Sequence, residues 1–347
     1  VLLNEFLVIY PIFDFNNRNY STLKVFILTL LLFYTYLGLG QELFPGTEPA
    51  STMPKGVAGA RFLYESYKEL PSNRTRYWGG LRIMYGVTGK LTVMMTGTGS
   101  NHHLKKFPAD LTNYFINHHQ ITFKPNPFLI EGVNVYAKYR WFSKDEQNKH
   151  LRLAFYAEAG KAFVPHDEAE PVLGDNTGFG GGIIGTKLHN RFALSLTCGY
   201  THPLAYVDKA QQINFKSGNS WNYNLSLGYR LAPVRYSSYK NLNINLYVEF
   251  INKSYDAAKM TVKGENFDFE IFQYYDPLIY KGLIENRYSE IRPSVQFIFN
   301  SNNRIDIGIA QPFYGKSYLH FYPMFFFNIQ KYLYPHKKTK PIDYLKK

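Results

Sequence analysis

The sequence predicts an all-β protein: a transmembrane, antiparallel, up-and-down β-barrel of about 12 strands, preceded by a cleavable signal peptide. Three observations carry that prediction. From Gly56 onward, apolar and polar residues alternate with period two over full strand lengths. The connections between these segments alternate between short and long, as in barrels with turns at one end and loops at the other. An export-type segment lies ahead of them. Composition agrees: of 347 residues, 18% are aromatic, with 30 Tyr and 28 Phe against 3 Trp. A mean hydropathy of −0.28 argues against a bundle of spanning helices, each of which needs roughly 20 mostly apolar residues. The single cysteine, Cys198, excludes an internal disulfide framework and a cysteine-rich zinc site. The formal charge of +13 permits anionic partners without choosing among them.

The export segment is read from Lys24, an apolar run of 13 residues from Val25 to Leu37, and the small residues Gly38 and Gly40 before Gln41. Residues 1–40 are therefore assigned to a signal peptide and an upstream extension, with translation expected to start near Leu23. Residues 41–55 follow as a periplasmic segment, 56–334 as the barrel, and 335–347 as a basic tail.

Alternation places strands near 56–68, 76–87, 90–98, 131–142, 150–163, 177–188, 191–201, 220–231, 240–251, 289–300, 304–313 and 318–332. In the fifth, Leu151, Leu153, Phe155, Ala157 and Ala159 alternate with Arg152, Ala154, Tyr156 and Glu158. In the ninth, Leu242, Ile244, Leu246, Val248 and Phe250 alternate with Asn243, Asn245, Tyr247 and Glu249. Short links such as Thr88-Gly-Lys90, His189-Asn190 and Ser301-Asn-Asn303 separate longer ones, above all 99–130 and 252–288.

Alternation alone does not say which face points inward, because soluble sandwiches and lipocalin-like barrels alternate too. The polar face here is rich in Gly, Asn, Ser and Thr, unlike the Lys/Glu cover of a soluble surface. Aromatic residues stand near the strand ends of the apolar face (Tyr77, Tyr85, Tyr139, Trp141, Trp221, Tyr223, Tyr229), as interfacial girdles require. With export, these features turn the apolar face outward, and only a closed barrel then pairs every backbone group in hydrocarbon.

The Gln41-Glu-Leu-Phe44 start, the stretch from Thr47 to Gly56 and the Tyr85-Gly-Val-Thr-Gly-Lys-Leu91 turn resemble exported outer-membrane barrels of Gram-negative bacteria. The group they are most similar to is porin-like and labelled as transporters of the meta-pathway of phenol degradation. The resemblance implies outer-membrane transport and does not imply phenol as the solute. Such barrels usually end on an aromatic residue of the last strand, here Tyr334, and the lysine-rich tail from Pro335 departs from that pattern.

The charged residues of the polar face are the functional candidates. Arg61, Arg82, Lys138, Arg140, Arg152, Arg230, Arg292 and Arg304 share it with Glu65, Glu158, Glu249 and Asp306, eight positive against four negative. Either they brace the barrel as ion pairs or they line a conducting path with weak anion preference. About twelve strands imply a narrow, side-chain-lined path, since eight are filled and sixteen leave an open channel. His102, His103, His118 and His119 fall in one loop and are the metal candidates, without the i,i+4 spacing of a recognisable site. Gly180 to Gly185 match a dinucleotide pattern, but a strand follows where a helix is required. An embedded hydrolase needs a serine with a base, for which Ser195 and His320 are the inward-facing candidates; Cys198 faces lipid. The expected function is passive or selective passage of small solutes, anionic or amphipathic, across the outer membrane. The alternative is a closed receptor or structural barrel whose external loops bind a partner. No cofactor is implied; membrane lipid and small solutes are the expected partners. The basic residues form no continuous stripe with stacking aromatics, which disfavours nucleic acid.

Overall fold

In the computed structural model, the described residues are 44–69, 73–117, 126–146, 148–166, 172–234, 241–275, 280, 283–284, 286–315 and 323–334. The expected signal peptide, the expected tail and His118, His119 and His320 lie outside them.

Twelve strands close an antiparallel barrel. They are β1 (Ala58–Glu69), β2 (Arg74–Gly86), β3 (Leu91–Ser100), β4 (Leu129–Glu146), β5 (Lys149–Ala162), β6 (Gly178–His189) and β7 (Phe192–Pro203). The remainder are β10 (Ser220–Ala232), β11 (Asn243–Tyr255), β14 (Asn286–Phe299), β15 (Asn303–Tyr314) and β16 (Met324–Leu333). Neighbours in the wall are neighbours in the chain, and β16 closes onto β1 from Ala58↔Leu333 to Tyr67↔Met324. Each segment expected from alternation contains a wall strand, with ends moved by a few residues; residues 318–322 of the last expected segment lie outside the described residues, and its strand is Met324–Leu333.

The apolar face points outward. Leu81 on β2 is 55% exposed, Ile183 on β6 55%, Trp221 on β10 52% and Ile309 on β15 50%. A belt of that extent is incompatible with water and suits hydrocarbon. Inward, the same strands present buried Thr92, Lys138, Thr186, Glu249, Gln296 and Asp306. The tight links use residues that tolerate positive φ: Asn148 (61°), Asn190 (59°) and Asn300 (51°) turn the chain at the short-turn end.

Glycine has a second use on the inner wall, where three aromatic side chains lie across glycines of adjoining strands. Tyr156 crosses Gly182 and Gly199, Tyr247 covers Gly228, and Phe326 covers Gly308. Gly180 to Gly185, the apparent nucleotide pattern, belong to β6 and lead through a turn to β7.

The long loops form a cap. Four short strands, β8 (Tyr206–Asp208), β9 (Ile213–Lys216), β12 (Lys259–Val262) and β13 (Glu265–Asn266), make a sheet in the order β13-β12-β9-β8. A helix, Leu111–Asn117, packs with it around a core that includes Phe107, Phe115, Phe215, Met260 and Phe272. Tyr255 and Tyr288, buried at the loop ends of β11 and β14, root this core on the barrel. The aromatic stretch 267–275, equally compatible on sequence with a strand extension, a plug or a capture patch, supplies Phe267, Phe269 and Phe272 to the cap; Tyr274 remains 81% exposed.

Candidate functional site

Of residues 41–55, the expected periplasmic segment, the described part, from Phe44, lies inside the barrel at its short-turn end. Phe44 is 1% exposed and packs edge-on against Tyr247, beside Leu188 and Ala193. Past it the chain holds to the wall through polar contacts and through apolar packing of Ala50 on Ala154 and Ile184 and of Met53 on Met84 and Met94. Gly46 and Thr47 donate their backbone N–H groups to the Glu249 carboxylate at 2.7 and 2.9 Å, and the Thr47 hydroxyl donates to it at 2.8 Å. The Ala50 N–H donates to Thr186 Oγ1 and the Met53 N–H to Thr92 Oγ1, both at 2.8 Å. Lys138 Nζ donates to the Pro49 carbonyl at 2.6 Å, Arg304 to that of Phe44 at 3.0 Å, and Arg61 to that of Pro45. The physical reason is donor and acceptor supply: a Pro-interrupted extended segment has no ladder of its own, and the polar inner wall supplies partners strand by strand.

Glu48 anchors the middle of the segment. It meets Arg82 at 2.8 Å and Lys138 at 3.2 Å. Burial raises the pKa of this carboxyl, but the Lys138, Arg82 and Arg61 charges outweigh it and hold the group down at about 2.

The predicted wall charges largely meet one another. Asp306 takes Arg304 at 2.7 Å and Arg61 at 3.2 Å; Arg292 takes Glu290 at 2.6 Å and Glu65 at 3.1 Å. Glu158 accepts from Asn134 at 3.3 Å, and Arg230 is buried facing inward. Two candidates stand at the turn-end rim. Arg152 bridges Asp145 and Ser51, and Arg140, beside a bulge between Arg140 and Phe142, donates to the Gly89 carbonyl. The side chains of Glu65, Arg82 and Glu48 keep 26%, 24% and 23% of their surface accessible, so the lumen retains space beside them.

Sequence reasoning missed five inward charges. Arg76 shares the Arg82 face of β2, is 2% exposed and donates to the Asn101 carbonyl at 2.9 Å. Glu290 lies two residues from Arg292 and so shares its face, a signal alternation could have found. Glu48 lies outside any strand pattern. Lys253, on the Glu249 face, falls just past the expected end of its strand. Glu131 is turned inward at a bulge between Thr98 and Gly99, which breaks the alternation. With all of these counted, basic groups still outnumber acidic ones by ten to seven, so the excess behind an anion preference is reduced and not removed.

A second buried polar group sits at the loop end. His103 Nε2 lies 3.8 Å from Glu131 Oε1, and its ring meets that of His166 at 4.6 Å. His166 Nδ1 contacts Asn176 Nδ2 at 2.9 Å, Thr98 donates to Asp175 at 3.3 Å, and His102 meets the Tyr67 hydroxyl. Among the described residues no group of three or more His, Cys, Asp or Glu is arranged to hold a metal ion. Burial, reinforced by Glu131, pushes the Asp175 carboxyl up to about 7 against the opposing pull of His103 and Thr98. Because its folded pKa exceeds the unfolded value, the charged form destabilises the fold increasingly as pH rises from about 4 to 7. Asp175→Asn should therefore raise the thermal midpoint more at pH 8 than at pH 5, measured by a melting series across that range.

Ser195, the candidate nucleophile, contacts Thr186 Oγ1 at 2.9 Å and the Gly185 carbonyl at 3.4 Å. Neither can act as the base that nucleophilic catalysis needs. Cys198 is exposed on the outer face.

No family model matches the chain, and no curated protein matches it. Among solved structures, an outer membrane channel from Pseudomonas putida F1 superposes with a TM-score of 0.51 at 12% identity, over 84% of this chain and 100% of that one. The NanC porin gives 0.40 at 10% identity, over 79% and 97%, and the β domain of the Bordetella autotransporter BrkA 0.38 at 10%, over 80% and 99%. At such identity the first likeness is one of fold: both chains build the same kind of closed antiparallel barrel. None of these findings assigns the chain to the phenol-degradation group.

Proposed function

We propose that this barrel is a channel of the Gram-negative outer membrane for small solutes, kept at low conductance by residues 44–55. The observation that carries the reading is how that segment is held. Hydrogen bonds and ion pairs attach much of it to a wall that is already closed without it, beside apolar packing at Phe44, Ala50 and Met53, and the polar contacts exchange with water more readily than a packed core does. Twelve strands leave room for a narrow path only, which limits solutes to small ones. The modest basic excess of the lumenal charges supports a weak anion preference.

The test is planar-bilayer recording of the refolded protein in a salt gradient. Wild type should show small steps with a weak anion preference. Glu48→Gln removes one acidic group beside Arg82 and Lys138, and should enlarge the steps and shift selectivity toward anions. The second reading, a closed receptor barrel, is favoured by the ordered aromatic cap over the loop end. Folded wild type and Glu48→Gln that both conduct nothing would establish it over the channel.

A further inference from the structure

We infer that the outer wall between β4 and β10 binds one anionic phospholipid, its acyl chains in an apolar groove and its phosphate on lysines at the short-turn end. This rests on the barrel lying in a membrane and is independent of whether the lumen conducts.

The groove follows from register. On the outward faces of β5 and β6, Phe155 stands beside Ile183, Leu153 beside Gly185, Leu151 beside Lys187 and Lys149 beside His189. Across β6 and β7, Gly185 faces Leu196. The missing side chain at Gly185 leaves a depression between Leu153 and Leu196, where an added Cβ would meet only Leu153 Cδ2, at 3.3 Å. The depression opens into a groove of about 650 Å³, walled by Trp141, Phe155, Ile183, Leu196 and Tyr223. Trp141 stacks on Phe155 with centroids 5.7 Å apart and planes 17° from parallel, so that wall is a rigid aromatic one.

The groove ends on positive charge. Lys187 lies two residues beyond Gly185 on the same face, about 7 Å along the strand. Lys149 follows at the next level, and both are exposed. Lys144, opposite Leu151, is also exposed and shares Glu146 at 3.6 Å, while Asp145 turns to Arg152 at 3.0 Å. Apolar length terminating in lysines is the pattern of a diacyl lipid with an anionic headgroup; a zwitterionic lipid gains less from the cations. Short turns lie on the periplasmic side of outer-membrane barrels, so the leaflet at this end is the phospholipid one.

The experiment refolds the full chain into vesicles containing equal phosphatidylglycerol and phosphatidylcholine, confirms insertion by flotation, and extracts the barrel into mild detergent for native mass spectrometry. One phosphatidylglycerol per barrel should be retained over phosphatidylcholine. Lys149→Gln and Lys187→Gln should each lower that retention about fivefold. Gly185→Trp, which fills the groove, should abolish it. Lys331→Gln, exposed at the turn end of β16 and away from the groove, should leave it unchanged. Equal retention of the two lipids by an inserted barrel overturns the site, as does a Lys331→Gln loss matching that of the groove lysines. A wild type that does not float with vesicles would instead overturn the membrane reading itself.

Discussion

Glu249→Ala should release the amino-terminal segment and raise single-channel conductance several-fold while the barrel stays closed. The carboxylate is wholly buried and accepts from Gly46, from the backbone and hydroxyl of Thr47, and from Ser226. Each hydrogen bond to a buried charged acceptor contributes about 1.5–3 kcal/mol, and a buried donor left without one costs about 1–3 kcal/mol. Removing the acceptor should weaken docking of the segment by about 3–6 kcal/mol, enough to make release a frequent event. The wall ladder from Ser220↔Tyr255 to Ala232↔Ile244 is made by backbone groups and does not depend on this side chain. Bilayer recording with hydrogen exchange at residues 46–53 measures both halves of the effect. Faster exchange without a conductance rise would show that the segment is docked but does not limit passage. Thr47→Val, which removes one hydroxyl donor, should move both readouts in the same direction by less.

That segment marks where sequence reasoning stopped. Wall strands such as β5 and β11 were legible because one face meets hydrocarbon and the other a polar lumen, which forces period-two alternation over ten or more residues. Phe44 to Lys55 carries no such period: its Pro45, Pro49 and Pro54 spell a loop, and its partners lie as far as 260 positions away, as with Phe44 and Arg304. The cap was hidden for a different reason. Its strands span two to four residues, too few for alternation to register, and they pair across loops far apart in the chain, as in Met260↔Phe215. Unbroken alternation points to inward charges such as Arg292 and Asp306, and equally to the missed Glu290 and Arg76, whereas a bulge hides Glu131. Their pairing was not legible at all, because Arg292 meets Glu65 only through barrel closure.

Gly199→Ala should destabilise the barrel by about 1–3 kcal/mol, a large effect for one methyl group. A Cβ on Gly199 would overlap the Tyr156 hydroxyl and stand 3.0 Å from its Cζ. The ring has little room to retreat. On one side it stacks on Tyr136, with centroids 5.1 Å apart and planes 17° from parallel; on the other, its Cε1 crosses Gly182. The wall therefore treats its lumenal aromatics as core residues, seated over glycines that admit them, and the same arrangement recurs with Tyr247 over Gly228 and Phe326 over Gly308. Urea midpoints of the folded form, read by gel mobility of unheated samples, measure the loss. Tyr156→Phe in the Gly199→Ala background should recover part of it, because the deepest overlap is with the hydroxyl alone. Additive losses in that double-mutant cycle would mean that ring and glycine do not share the strain, and the seat would then be a coincidence of small residues. Coupling would show that the polar lumen of this barrel is packed to a fixed shape on the Tyr156 side.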